Sequence, residues 1–192
     1  MLPKPSNLMF KAVLIGDGAV GKTSVRRKYL GKGFISSHIA TIGVDFAQKT
    51  VKIDGHHVRI VIWDLAGQEG YGRVRGHYYQ GSSALILVYD ITNRKSFENA
   101  SAWLAESYKH TEEIPPIAVL GNKVDLRTPE NAADLVSPEE GLAFAESLSE
   151  KHSVPTIFFE TSAKNGENIQ ESINELTRIM IARYESEQWT KK

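Results

Sequence analysis

The stretch Gly16-Asp17-Gly18-Ala19-Val20-Gly21-Lys22-Thr23 decides the fold of this chain. It matches the phosphate-binding pattern in which a glycine and four further residues precede Gly-Lys-Thr. The apolar run 8–15 comes directly before it and a helix-compatible run, 24–30, follows it, which is the context that this pattern requires. Glycines let consecutive backbone N–H groups approach phosphate oxygens, while the lysine supplies a point charge and the threonine a hydroxyl for Mg²⁺. The stretch therefore predicts a site for a nucleoside triphosphate.

Outward from this stretch, short aliphatic and β-branched runs alternate with amphipathic stretches of helical period. The second and third runs are joined by Asp54-Gly55, a two-residue hairpin turn, so we expect those two strands to be antiparallel. The remaining alternation is typical of a parallel sheet covered by helices on both faces. The prediction is an α/β fold, a three-layer P-loop NTPase domain with a six-stranded, mostly parallel sheet, one antiparallel edge strand and about five helices. The predicted strands are 8–15, 44–53, 58–64, 84–89, 117–120 and 157–160.

Composition narrows the classes of function. The chain has 192 residues, 23 Lys and Arg, 23 Asp and Glu and no cysteine. This length suits one domain, and zero net charge gives no overall electrostatic attraction to nucleic acid or to a membrane surface. Without cysteine, disulfides, thiolate metal sites and cysteine-linked lipids are excluded for this sequence. We expect a cytoplasmic protein with a short extension over 1–7, one domain over 8–184, and a short tail over 185–192 that has no lipidation cysteine.

Three segments at predicted strand ends refine the expected ligand. Asp64 closes an apolar strand, where a carboxylate can hold Mg²⁺, and Gly67 follows three residues later, where it allows close backbone approach to a terminal phosphate. Asp125, in Gly121–Asp125, can accept hydrogen bonds from the N1–H and the exocyclic amine of guanine, a donor pair that adenine lacks. The segment 161–164 follows the last strand, where a backbone N–H can donate to the guanine carbonyl. The sequence therefore favours a guanine nucleotide.

These four segments, in this order and each after a strand, resemble the Ras superfamily of small GTPases over about 8–184. The Rab-like members are the most similar, because Ile42-Gly43-Val44-Asp45-Phe46, Trp63-Asp64 and Tyr78-Tyr79-Gln80-Gly81 match their signature segments. The resemblance implies a molecular switch that binds GTP or GDP with Mg²⁺ and hydrolyses GTP slowly, on the order of 10⁻⁴ s⁻¹ without help. It also implies a monomer whose partners are effectors, an exchange factor and a GTPase-activating protein. Nucleic acid is not expected as a partner.

The resemblance assigns roles to individual positions. Gln68 would orient the attacking water, and Lys22 and Thr41 would complete the catalytic set. Mg²⁺ would be held by Thr23, Thr41 and Asp64. The effector surface would comprise Ile42, Phe46, Trp63 and Tyr78. Phe34 would lie edge-on to the guanine and Lys123 over its face. The expected nucleotide-binding residues are Gly18, Ala19, Val20, Gly21, Lys22, Thr23, Ser24, Phe34, Thr41, Gly67, Asn122, Lys123, Asp125, Ser162, Ala163 and Lys164.

Other interpretations stay open at the level of sequence. One alternative is a guanine-nucleotide-binding interaction module without significant hydrolysis. An ATP-dependent kinase is disfavoured by Asp125 and the 161–164 segment. Arg73 and Arg75 are interpreted as surface or effector contacts, and the pair His56-His57 as solvated. Rab-like proteins normally reach membranes through prenylated C-terminal cysteines, so membrane association of this chain would require a partner or a tail outside this sequence.

Overall fold

The computed structural model describes residues 7–34, 41, 43–67 and 72–190, without the side chains of residues 72–74 and 190. Within these residues, six strands form one sheet in the order β2-β3-β1-β4-β5-β6. β2 runs antiparallel to β3, and every other neighbouring pair is parallel. The predicted fold class is confirmed. The strands are β1 (Asn7–Ile15), β2 (Val44–Ile53), β3 (His56–Leu65), β4 (Ala84–Asp90), β5 (Ile117–Asn122) and β6 (Thr156–Thr161).

Helices alternate with these strands. Arg94–Glu98 and Ala100–Tyr108 are separated only by Asn99, whose own dihedral angles are helical (φ −73°, ψ −12°), so they form one interrupted helical unit. The described helices therefore make five units, as the sequence predicted. The helices are α1 (Lys22–Tyr29), α2 (Gly72–Tyr79), α3 (Arg94–Glu98), α4 (Ala100–Tyr108), α5 (Pro138–His152) and α6 (Ile169–Thr190).

Two hydrophobic clusters lie on opposite faces of the sheet. One packs α1 and α6 against the sheet through residues such as Val25 and Ile173, and the other packs α2, α4 and α5 through residues such as Leu104 and Ala145. β4 is buried along its whole length because it lies between both helical layers, which explains its uninterrupted apolar sequence. The carboxyl ends of the five parallel strands therefore meet at one edge, where ligands bind in folds of this kind.

The hairpin between β2 and β3 sets the register of the sheet edge. Asp54 and Gly55 both have positive φ angles (49° and 86°), as a two-residue turn with the correct twist requires. The turn brings Phe46 opposite Trp63, and Asp45 opposite Asp64. Residues far apart in sequence thus become direct neighbours beside the phosphate loop.

Two sequence interpretations need correction. His56 is not solvated: it is buried, and its Nε2 lies 3.3 Å from the Glu185 carboxylate. Glu185 belongs to the segment that was expected to follow the last helix, but α6 continues to Thr190. The first part of the expected tail is thus helical and contacts the first residue of β3. No helix among the described residues is long and apolar enough to cross a membrane.

Candidate functional site

The phosphate loop joins β1 to α1. Gly21 is the residue before α1, and its φ of 102° is one that side-chain-bearing residues rarely adopt. A Cβ there would lie 2.4 Å from Nδ2 of Asn122, so both the backbone angle and the close neighbour require glycine. The predicted loop residues Gly18 and Ala19 are exposed at its tip, and Val20 is buried beneath them.

Lys22 points back into the loop. Its Nζ donates to the carbonyl oxygens of Gly16 at 2.7 Å and Asp17 at 2.6 Å. Burial lowers the pKa of Lys22 to about 8, against the opposing influence of Asp64 and Asp17. Gly67 packs so closely that a Cβ on it would lie 2.4 Å from this Nζ. A buried ammonium group with only neutral carbonyl partners would be stabilised by an anion such as a phosphate.

Beside Lys22, three oxygen-bearing side chains meet. The Thr23 hydroxyl donates to Oδ2 of Asp64 at 2.5 Å and lies 2.9 Å from the Thr41 hydroxyl. Asp64 is fully buried, and its other oxygen, Oδ1, has no hydrogen-bond partner among the described residues. Burial raises the pKa of Asp64, while the Thr23 hydroxyl and the positive charges of Arg26 and Lys22 oppose that rise.

This oxygen cluster suits Mg²⁺. In the described part of the chain, no group of three or more His, Asp or Glu side chains could form a metal cage. Mg²⁺ does not need one, because it usually combines one or two carboxylates with waters and substrate phosphates. An unpartnered, buried carboxylate oxygen on Asp64 beside two hydroxyls meets that requirement.

The base-recognition segments lie beyond β5 and β6. Ser162 donates to Oδ1 of Asp125 at 2.5 Å, and the Lys164 ammonium lies 3.7 Å from Oδ2 of the same carboxylate. Lys123 has a left-handed backbone (φ 73°), and its Nζ lies 2.6 Å from Oδ2 of Asp90. Ser162 and Lys164 thus contact both oxygens of the Asp125 carboxylate and restrict its orientation.

Asn122 connects the phosphate loop to the base segments. Its Nδ2 donates to the Val20 carbonyl at 2.9 Å. Its Oδ1 accepts from the backbone N–H of Ala163 at 3.1 Å and from the Thr161 hydroxyl at 3.3 Å. One buried side chain therefore sets the distance between the two halves of the pocket.

The three described members of the predicted effector surface form an aromatic row. Trp63 stacks on Phe46 at a centroid distance of 5.2 Å and lies 5.4 Å from Tyr78. Phe46 remains 61% exposed, and Lys11 sits 5.1 Å from the Trp63 ring. The row follows from the hairpin register, which places Phe46 and Trp63 opposite each other.

Some predicted residues are not brought into contact or lie outside the description. Phe34 is 47% exposed, so packing against the rest of the protein does not fix its ring in the position expected beside a base. Ser24 is half-buried in the first turn of α1. Gln68, the expected catalytic residue, and Ile42, an expected effector contact, lie outside the described residues.

Arg75 corrects a further sequence interpretation. It is buried rather than a surface residue, and its Nε and Nη2 donate to both carboxylate oxygens of Glu106, at 2.7 and 2.8 Å. Its Nη1 donates to the Ala66 carbonyl at 3.1 Å, directly before Gly67. The guanidinium also lies 4.5 Å from the Trp103 ring. Arg75 thus connects α2 and α4 to the segment that follows β3.

Sequence reasoning also missed the anchor of the phosphate loop. Trp103 Nε1 donates to Oδ1 of Asp17 at 2.6 Å, and Asn99 Nδ2 donates to Oδ2 at 2.8 Å. The only sequence signal was the spacing of Asn99 and Trp103, four residues apart, which places them on one helical face. Their partner in the loop could not be identified from that spacing.

A nucleotide-binding P-loop domain is the class that this topology and this strand-end site define. Within that class, a sequence model of the Ras family matches residues 11–182. The chain is 39% identical to the Ras-related protein Rab-10 of Diplobatis ommata over 181 residues, which cover 94% of this chain and 86% of the relative. It is 38% identical to the Ras-related protein Rab-13 of Rattus norvegicus over 180 residues, covering 94% and 84%. It is 36% identical to the Ypt/Rab-type GTPase avaA of Emericella nidulans over 186 residues, covering 95% and 87%.

The chain belongs to the Ras family. It is a Rab-like small GTPase, a GTP-binding switch protein, as its motifs predicted. Proteins of this superfamily bind guanine nucleotides and Mg²⁺, and they act through regulators and effectors.

Proposed function

We propose that the chain binds GTP or GDP with Mg²⁺ in the pocket at the carboxyl edge of its sheet and hydrolyses GTP slowly to GDP and phosphate. The observation that carries the proposal is the Asn122 bridge, which joins the Val20 carbonyl of the phosphate loop to Ala163 of the base segment. A fixed spacing between a phosphate cradle and a carboxylate suits a ligand with an anionic end and a donor-bearing base.

Recognition of guanine would fall to the second half of the pocket. Asp125 would accept from N1–H and the exocyclic amine, and a backbone N–H of the 161–164 segment would donate to the base carbonyl. Ser162 and Lys164 would hold the Asp125 carboxylate, while Lys123 and Phe34 would cover the base. The remaining nucleotide-binding residues would contact phosphates or ribose: Gly18, Ala19, Val20, Gly21, Lys22, Thr23, Ser24, Thr41 and Gly67.

Thr23, Thr41 and Asp64 would hold Mg²⁺, which would offset phosphate charge when bound. The Thr23 hydroxyl orients Asp64 through Oδ2, so Oδ1 stays available. Thr41, whose hydroxyl lies 2.9 Å from that of Thr23, would sense a terminal phosphate through the shared cation, which would give the switch its nucleotide dependence.

For hydrolysis, Gln68 would orient the attacking water, and Lys22 would stabilise charge on the transferred phosphoryl group. Arg75 is engaged by Glu106 and by the Ala66 carbonyl, so we assign it to structure rather than to catalysis. A GTPase-activating protein would then supply the missing positive charge, as in Ras-like enzymes, where such help is worth about 10⁵-fold.

The active state would present the row of Phe46, Trp63 and Tyr78, together with Ile42, to effectors. We extend the switch domain from about residue 8 to the end of α6 at Thr190 and propose that the protein works as a monomer in membrane traffic. Its contact with membranes would be mediated by a partner or by a tail outside this sequence.

Identification of the bound nucleotide tests this function first. Protein purified without added nucleotide should release GDP or GTP on denaturation, and Asp125→Ala should weaken GDP binding at least about 100-fold, because a buried donor pair loses its acceptor. Calorimetry with GDP and with ADP measures both preferences. Asp134→Ala, at an exposed aspartate in the following loop, is the matched control and should bind as the parent does. Release of ATP, or equal binding of ADP, would overturn the proposal.

Hydrolysis is tested separately by single turnover of preloaded GTP with Mg²⁺. We expect conversion to GDP over hours, further slowing in Gln68→Leu, and no change in GDP affinity. If GTP stays intact and Gln68→Leu makes no difference, the chain is a nucleotide-binding interaction module rather than a GTPase.

A further inference from the structure

A buried arginine that the proposed site does not use lies next to its metal-binding side chains. Arg26 projects from α1 three residues after Thr23, so both residues lie on the same helical face. Its side chain is only 9% exposed. Burial of a guanidinium this deep requires a compensating charge.

The compensating charges are two aspartates on neighbouring strands. Asp45 of β2 and Asp64 of β3 are direct cross-strand partners. Like charges in this arrangement repel each other. Nη2 of Arg26 lies 2.5 Å from Oδ2 of Asp45, and its Nε lies 3.8 Å from Oδ2 of Asp64. The guanidinium is therefore a countercharge that the two carboxylates share.

The contacts also orient Asp64. Its Oδ2 accepts the Thr23 hydroxyl and faces Arg26, while its Oδ1 stays buried without a hydrogen-bond partner among the described residues. Nε of Arg26 is likewise buried without a hydrogen-bond partner in the described structure. Asp45 does not bond to this nitrogen, so the nitrogen could still donate to another carboxylate. A loss of the Asp45 contact would therefore let Arg26 move closer to Asp64.

We propose that the charge of Arg26 sets how strongly nucleotide retention depends on Mg²⁺. The inference rests on the proposed nucleotide and Mg²⁺ binding. Arg26 lies on the Oδ2 side of Asp64, and its fixed positive charge makes the site less attractive to a divalent cation. It also offsets the negative charge of the aspartate pair when no cation is bound. Retention of the nucleotide therefore depends less on Mg²⁺.

Asp45 makes the Arg26 ion pair accessible to a partner protein. Its side chain is 59% exposed on the edge strand β2, on the face of the sheet opposite to Phe46. A partner that supplies a cation to Asp45 would release Arg26 towards Asp64 and weaken the hold on Mg²⁺. Occupancy of this exposed side of β2 and nucleotide retention would thereby be coupled through one ion-paired arginine.

The proposal predicts opposite effects for two substitutions. Arg26→Met removes the countercharge that the two facing carboxylates share, so the free Mg²⁺ concentration that half-protects bound nucleotide should fall about fivefold. Asp45→Asn frees Arg26 to pair with Asp64 alone, so that concentration should rise about threefold. Asp45 is largely exposed, so its amide variant should fold even where Arg26→Met does not.

The measurement is the release rate of methylanthraniloyl-GDP across a series of buffered Mg²⁺ concentrations, with the full chain at constant ionic strength. Arg27→Met is the matched control, because Arg27 is the adjacent arginine of α1 and donates to the Gly33 carbonyl rather than to a carboxylate. It should leave the half-protecting Mg²⁺ concentration unchanged.

The outcomes separate this inference from the function on which it rests. Failure of the unaltered chain to retain methylanthraniloyl-GDP, or retention that ignores Mg²⁺, would contradict the proposed function. Normal Mg²⁺-dependent retention with no shift in Asp45→Asn, or a shift in the same direction for Asp45→Asn and Arg26→Met, would overturn the role of Arg26.

Discussion

At the scale of single residues, the pocket depends on one buried amide side chain that fits because a neighbouring residue has no Cβ. Asn122 uses both ends of its amide, one towards Val20 and one towards Ala163. The space for its Nδ2 exists because Gly21 has no Cβ. The amide and the glycine therefore form a pair in which each permits the other.

Gly21→Ala should destabilise the protein by about 2 kcal/mol or more. The substitution adds the cost of a left-handed alanine, about 1–2 kcal/mol, to a clash with Asn122. Gly81→Ala separates the two causes, because Gly81 also has a positive φ (67°) but nothing lies within 4 Å of an added Cβ. Urea unfolding should give about 1 kcal/mol for Gly81→Ala. Equal losses for both variants would show that the Asn122 contact does not matter.

At the scale of elements, α5 begins with a complete set of local start signals. Ser137 accepts from the Glu140 backbone N–H at 3.2 Å, and the Glu140 carboxylate accepts from the Ser137 N–H at 3.0 Å. This is a capping box, which Ser137-Pro138-Glu139-Glu140 indicates in the sequence. Arg94 of α3 then adds two bonds to the same carboxylate, at 2.7 and 3.1 Å, so the cap also joins two elements.

The cap makes stability depend on acid pH. The Arg94 guanidinium and the Ser137 N–H lower the pKa of Glu140 from 4.5 to about 2. A carboxyl whose pKa is lowered by folding stabilises the protein above its unfolded pKa, and this contribution is lost as pH falls towards the folded value. Solvent screens the pair because the side chain is 40% exposed, so Glu140→Gln should cost about 1 kcal/mol at pH 7.

Denaturant unfolding at several pH values checks this prediction. The difference between Glu140→Gln and the parent should shrink between pH 4.5 and about 2. Glu146→Gln, at an exposed position of the same helix, is the control and should be nearly neutral throughout. A Glu140→Gln deficit that is constant with pH would rule out the charge as its cause.

At the scale of the whole molecule, a partly buried ion pair joins two helices of one layer beside the segment that follows β3. Nε and Nη2 of Arg75 in α2 donate to the carboxylate of Glu106 in α4, which also accepts from the Tyr79 hydroxyl at 2.8 Å. Trp103, also in α4, donates to Asp17 of the phosphate loop. α4 therefore contacts both the loop that would bind phosphate and the helix that follows Gly67.

Breaking this pair should be costly and non-additive. Arg75→Met or Glu106→Leu should each destabilise by about 2–3 kcal/mol, because each leaves a charge without its partner. The double variant should lose less than the sum, by about 2 kcal/mol. A double-mutant cycle by urea unfolding measures this coupling. The exposed pair Lys95 and Glu98 is the control cycle and should couple by less than about 0.5 kcal/mol. Additive losses at Arg75 and Glu106 would show that the pair does not act as a unit.

Much of the fold could be predicted because its signals are local. The phosphate-loop pattern, the Asp54-Gly55 turn and the α5 capping box each depend on residues close in sequence. Strand ends were placed within a few residues, and parallel order followed from the alternation of strands and helices. The burial of His56 and the extension of α6 to Thr190 were missed, since the first residue of β3 meets the end of α6 only after the chain has folded.

By itself, the sequence determined the fold class, the family and the four strand-end segments, because backbone conformation in tight loops and hydrophobic periodicity are written in neighbouring residues. Only the tertiary structure decided which charges are buried and paired. Arg26 and Arg75 look like ordinary helical arginines until α1 packs over the facing carboxylates of β2 and β3 and α2 packs against Glu106. Electrostatic energies depend on distance in space and on exclusion of water, and neither quantity exists before the elements pack.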